Sequence, residues 1–152
     1  MRSHGILALA GLLATFSVAG CVSLATPEGY AERTKTGGYA YQAVSTDASM
    51  IAVEVYDNED PDHGDLAYWT EAARKHMTLA RGYTLLEEGG FVSPQGPGHW
   101  MKFSKKHKGV DHLYLLGLVI DGDDIYALEA GGEAEVFGDD VERVLAAFAT
   151  LD

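Results

Sequence analysis

The densest set of hard oxygen ligands in the chain lies between Asp57 and Asp65, where DNEDPDHGD supplies Asp57, Glu59, Asp60, Asp62 and Asp65. Clustered carboxylates bind Ca2+ when a loop wraps them around the ion. A helix–loop–helix calcium loop needs glycine at its sixth place for the sharp turn and a bidentate glutamate at its twelfth. Counted from Asp57, those places hold Asp62 and Tyr68, so the stretch reads as a solvated acidic loop. Its last member, Asp65, is placed to accept hydrogen bonds from the free N–H groups of a following helix. Asp121, Asp123 and Asp124 surround Gly122 and use the same residue types for a tight turn.

The histidines carry no zinc pattern: His4, His63, His76, His99, His107 and His112 show neither HExxH nor paired ligand spacing. His76 adjoins an apolar helical stripe and reads as a half-buried structural residue, while His107 and His112 are spaced to face one another across a hairpin. No GxSxG elbow and no GxxxxGK[ST] or GxGxxG phosphate loop occurs. The single cysteine, Cys21, can neither close an intrachain disulfide nor build a thiolate zinc site. No catalytic residue, metal ligand or cofactor is therefore assigned, and the chain reads as a non-enzyme. Two alternatives stay open: a Ca2+- or Zn2+-dependent hydrolase using the 57–65 loop, and a carrier holding a small ligand between sheet and helices.

Composition bounds the partners. The chain has 152 residues, 47% of them apolar and 22% charged, enough for one domain. Its 11 Lys and Arg against 23 Asp and Glu give a formal charge of −12, the wrong sign for neutralising a phosphate backbone, so nucleic acid is excluded as a partner.

The amino terminus has a different character. Arg2 gives a cationic start, and residues 5–18 (GILALAGLLATFSV) form an uncharged apolar run of the kind read by the secretion machinery. The run ends in Val18-Ala19-Gly20-Cys21, which resembles the bacterial lipoprotein lipobox. That resemblance implies removal of residues 1–20 as a signal peptide and a diacylglycerol thioether on Cys21, the first residue of the mature chain. One acyl chain anchors only marginally, at about 0.8 kcal/mol per buried CH2, whereas two or three hold a protein at the membrane durably. An Asp after the cysteine commonly signals inner-membrane retention in such lipoproteins; Val22 stands there, so the resemblance implies a cell-envelope protein on the outer membrane.

Residues 21–38, with Pro27, Gly29, Gly37 and Gly38, read as a short tether followed by a hesitant first strand, and residues 39–152 as the globular domain. Alternation predicts strands over 39–44 and 50–56 joined by a polar turn at 45–49. Leu66, Trp69, Ala73, Met77 and Ala80 predict a helix over 66–81, with Glu71 and Lys75 paired on its wet side and Gly82 as its stop. A strand at 83–88 leads into a Gly- and Pro-rich loop at 89–98, then a strand at 99–104. Residues 105–109 form a hairpin tip carrying Lys105, Lys106 and Lys108, the only basic cluster. The run LYLLGLVI within 111–120 is apolar on both faces and reads as a central strand covered from both sides. A strand at 125–131 returns beside it, and Val141, Val144, Leu145, Phe148 and Leu151 mark a closing helix that starts near Asp139 or Asp140.

This order predicts an α+β fold, an antiparallel sheet with helices packed on it. The runs DLAYWTEAARKHMTLARGYTLLEE and DHLYLLGLVIDGDDIYALEAGG, followed by the amphipathic helix, resemble the PsbP-like α/β/α sandwich superfamily over about residues 39–152. The superfamily includes the extrinsic photosystem II subunit, a Ran-binding nucleotide-release factor and bacterial lipoproteins, and no binding residue carries over from it. The expectation is a lipid-anchored, non-catalytic envelope protein whose acidic domain binds or scaffolds another macromolecule, with a protein as partner. The sheet edges, the basic hairpin and the acidic loop are the features expected to do the binding.

Overall fold

A computed structural model describes residues 21–152, so the expected signal peptide, including Val18, Ala19 and Gly20 of the lipobox, lies outside the described residues. Seven antiparallel strands form one sheet in the order β1-β2-β3-β7-β6-β5-β4. They are β1 (Tyr30–Glu32), β2 (Tyr41–Ser45), β3 (Met50–Asp57), β4 (Thr84–Ser93), β5 (Gly96–His107), β6 (Val110–Asp121) and β7 (Asp124–Glu133). Helix α1 (Leu66–Lys75) lies between β3 and β4 in the chain, and α2 (Ala134–Phe137) and α3 (Val141–Phe148) follow β7.

The apolar run of β6 places this strand in the interior, because successive side chains point to opposite faces. Leu115 and Val119 join Ile51, Val53, Leu128, Val144 and Phe148 in one core, under α3. Leu116 and Leu118 join Met101, Phe103, Ala127 and Met77 in the other, under α1. Gly117 is what lets α3 settle: a Cβ there would stand 2.9 Å from the Phe148 ring. The result is the expected α/β/α sandwich.

Helix α1 begins where its cap predicts, the Tyr68 N–H donating to Asp65 Oδ1 at 2.9 Å. The Lys75–Glu71 pair forms as expected, at 3.4 Å. The helix does not run evenly to residue 81, however: His76–Ala80 is a π-helical turn, closed by the Arg81 N–H on the His76 carbonyl. Gly82, at φ +72°, then reverses the chain as its left-handed stop.

Two segments differ from the sequence reading. The expected loop at 89–98 is mostly strand, with β4 and β5 pairing from Ser93↔Gly96 through Gly89↔Trp100. Two of its glycines, Gly89 and Gly98, serve cross-strand aromatic packing, while Gly96 supplies the turn at φ +132°. A Cβ on Gly98 would fall 2.3 Å from the Phe91 ring, and one on Gly89 3.0 Å from Trp100. The expected tether at 21–38 is also not free. Leu24 is buried in the α3-side core, Pro27 is buried and the Ala25 N–H donates to Thr150 Oγ1 at 2.8 Å, while Tyr30–Glu32 forms the expected hesitant strand as edge strand β1. Ser23 and Ala25 find their partners at the other end of the chain, on Asp152 and Thr150, so no local pattern announces that docking, whereas β1 pairs with the nearby β2.

Candidate functional site

Helix α1 covers β5 and β6 but leaves the β3 side of the same sheet face bare. Met50 and Tyr56 of β3 stand 41% and 48% exposed on that face, opposite Gly131 and Ile125 of β7. Between this bare strip and the π-helical end of α1 runs an open cleft. Its middle section, about 430 Å3, is bounded by Tyr56, His76, Met77, Arg81, Tyr114 and Glu129. At its upper end it continues past Tyr114 into a section of about 460 Å3 lined by Met50, Arg81, Tyr83, Lys105, His107 and His112. A π-helical turn costs regular hydrogen bonding and recurs at functional sites. Here it places His76 and Arg81 on the cleft wall. His76 is thus exposed rather than half-buried, a correction that follows from the register change of the π turn.

The floor is held by one polar pair. The Tyr114 hydroxyl donates to Glu129 Oε1 at 2.6 Å, and burial, reinforced by the Glu129 carboxylate, pushes that hydroxyl far above its ordinary range. Burial and the Glu54 carboxylate push the Tyr56 hydroxyl up in the same way. Both phenols stay protonated and serve as donors; neither is prepared as a base or nucleophile.

Around Tyr83 the wall becomes cationic. Lys105 Nζ lies 5.0 Å and the Arg81 guanidinium carbon 5.9 Å from its ring centroid, within cation–π range. Lys105 Nζ also donates to the Arg81 carbonyl at 2.6 Å. Tyr83 packs on Tyr114 with centroids 5.7 Å apart, and on Phe103 at 6.2 Å. His107 and His112 do face one another across the hairpin, ring centroids 6.1 Å apart and edge to face.

The acidic loop is organised by Asn58. Asn58 is buried, its side-chain amide donates to the Gly64 carbonyl at 2.9 Å, and its Oδ1 accepts from the Trp69 indole at 3.3 Å. Asp65 caps α1 and Asp60 pairs with His63 at 2.9 Å. Among the described residues no three His, Cys, Asp or Glu side chains converge as a metal site. His99 belongs to the network that pins α1 to the sheet: it meets Glu88 Oε1 at 3.0 Å, and Arg74 grips both oxygens of Glu88 at 2.7 and 3.1 Å.

Cys21 is exposed at the opposite end of the sheet from the basic hairpin. A hollow there is lined by Cys21, Gln95, Asp57, Asp124, Tyr126 and Asp152. Strand β5 starts at this end and finishes at His107 after 12 residues, so the basic tip stands about 36 Å away. Among the described residues no helix is long and apolar enough to cross a membrane.

The described residues thus form an α+β sandwich with one half-bare sheet face. Neither a family model nor a curated protein sequence matches the chain. Solved structures do match in fold. LpqN of Mycobacterium tuberculosis, described as involved in cell envelope biogenesis, is 13% identical, with TM-score 0.62 over 86% of this chain and 79% of that one. The cyanobacterial PsbP of Synechocystis is 9% identical, with TM-score 0.55 over 93% and 99%. A Pseudomonas aeruginosa protein described as a putative regulator is 10% identical, with TM-score 0.50 over 88% and 97%. The fold is PsbP-like, as the sequence resemblance implied.

Sequence reasoning reached the basic tip but missed the cleft. Arg81 and Tyr83 lie in the connection between the π-helical turn and β4, Tyr114 on β6 and Glu129 on β7. The available signals were a tyrosine inside the apolar run LYLLGLVI and a carboxylate inside IYALEAG, each a polar group at a place that should be covered.

Proposed function

We propose that this chain is a lipid-anchored, non-catalytic protein of the cell envelope, held to the outer membrane through Cys21, whose acidic domain binds another macromolecule, a protein, along the half-bare sheet face. The bare strip carries this reading: Met50 and Tyr56 stand exposed beside a preformed cleft whose phenols are donors and whose carboxylate is already engaged. Cys21 is exposed with folded chain starting at once behind it, which suits a domain presented directly from a bilayer. LpqN, a structural neighbour tied to envelope biogenesis, adds support for the location.

The anchor and the surface are tested separately. Cys21→Ser should abolish acyl labelling and leave a longer precursor; normal maturation of this variant would remove the anchor from the reading. A photo-crosslinking amino acid at Met50 or Tyr56, in cells, should trap one discrete protein adduct, whereas the same group at Glu142 on the far face should trap none. Equal labelling from both faces would overturn the docking assignment.

A further inference from the structure

We infer that the basic end of the cleft is a binding site for a phosphate monoester, with Arg81 and Lys105 as its anion-holding residues and Tyr83 as the platform that positions them. The site does not depend on lipidation or on a protein partner.

Carboxylates outnumber cations two to one, and Arg74, Lys75, Lys102, Lys106 and Arg143 each have a carboxylate partner, whereas Arg33, Lys35 and Lys108 stand without one among the described residues, in open solvent. Among the described residues, no carboxylate oxygen lies within 4.0 Å of Arg81 or Lys105. Yet the two are not splayed into solvent. Both sit on the ring of Tyr83, and the Lys105 ammonium is tied to the carbonyl of Arg81 itself. Holding two like charges together is unfavourable unless something of opposite sign sits between them. The negative ring face of Tyr83 offsets part of this; an anion in the cleft supplies the rest.

The neighbouring groups set the ligand's chemistry. His107 and His112 line the same wall, His112 with its Nδ1–H already given to the Val110 carbonyl at 3.1 Å, and the carboxylates nearby are largely engaged: Glu129 with Tyr114, Asp111 with Lys106 and Asp47 with Ser45. Glu133, across the strand pair from His112, is the remaining acid on this face. A guanidinium fork beside an ammonium suits a compact dianion with tetrahedral oxygens better than a single carboxylate. Two cations within a body of charge −12 exclude a polyphosphate backbone but leave room for one phosphoryl group.

The test is NMR titration of the purified full chain with inorganic phosphate, then with acetate. Phosphate should give saturable shifts at Arg81, Tyr83, Lys105 and His112, and acetate should not. Arg81→Gln and Lys105→Gln should each weaken phosphate binding about tenfold, the loss of one hydrogen bond between charged groups. Lys108→Gln, on the same hairpin but outside the cleft, should leave it unchanged. Thermal unfolding of each variant establishes that it is folded. Cosedimentation with phosphatidic acid vesicles, against phosphatidylcholine alone, assigns the source: retention marks a lipid headgroup, and phosphate binding without retention marks a soluble ester. Shifts spread over all the lysines, equal binding of acetate, or an equal loss in Lys108→Gln would overturn the inference.

Discussion

Ser23 and Asp152 exchange both of their backbone hydrogen bonds, the Ser23 N–H reaching the Asp152 carbonyl at 2.8 Å and the Asp152 N–H returning to Ser23 at 3.1 Å. The first folded residues after Cys21 are thus clasped to the last residue of the chain, with Leu24 and Leu151 buried beneath the clasp. With the anchor on Cys21 proposed above, a tag appended to Asp152 is expected at the membrane surface. Proteolysis of such a tag should be slow on isolated envelopes and fast once the same protein is extracted into detergent. In the same region, Leu151→Ala should cost about 2–5 kcal/mol, read as a lower urea midpoint.

Gly98→Ala should be among the most damaging small substitutions. The new methyl would stand 2.3 Å from the Phe91 ring, and Phe91 in turn packs on Phe148 with centroids 6.4 Å apart. A loss of about 1–3 kcal/mol is expected from this overpacking. Gly90→Ala, whose Cβ would meet only the Gly98 carbonyl at 3.8 Å, should cost clearly less in the same denaturation series.

Acid should loosen α1 through Glu88. The Arg74 hydrogen bond, above all, holds this carboxyl below the ordinary glutamate range, so its folded value is depressed. The stabilisation is then complete above the unfolded value of about 4.3 and fades as pH falls through the lower folded one. Glu88→Gln should cost up to about 1 kcal/mol at neutral pH, as for a partly exposed ion pair, and progressively less as pH falls below about 4. Urea midpoints of the two proteins across pH 3–7 read this directly, and parallel curves would refute the linkage.

Tyr30→Phe should unfasten edge strand β1. The Tyr30 hydroxyl donates to Asp140 Oδ2 at 2.8 Å, and Asp140 is only 5% exposed, with Arg143 on its other oxygen. Removing one partner from a buried carboxylate costs about 1–3 kcal/mol. Amide exchange should report it locally, with Ala31 losing protection while β6 keeps its own.

Where the signal was local, the sequence could be read. Asp65 announced the start of α1, and LYLLGLVI announced the double-sided burial of β6. Glycine under an aromatic ring, as at Gly89 and Gly98, has the same composition as glycine in a loop, and only the partner strand distinguishes them. The clasp at Ser23 and the cleft at Arg81 and Lys105 are long-range pairings. Each residue there looks ordinary by itself, so the basic tip and the polar groups of Tyr114 and Glu129 inside apolar runs were the hints of a site.

The clasp also decides how the molecule answers a mechanical pull. Force entering at Cys21 meets the Ser23–Asp152 bonds and the Ala25–Thr150 bond before it meets any ladder of the sheet. Edge strand β1 is next in line, and β6 and β7 are shielded behind it. Under tension the protein should peel from its margin in small steps, yielding slack near the attachment point while the cleft keeps its shape.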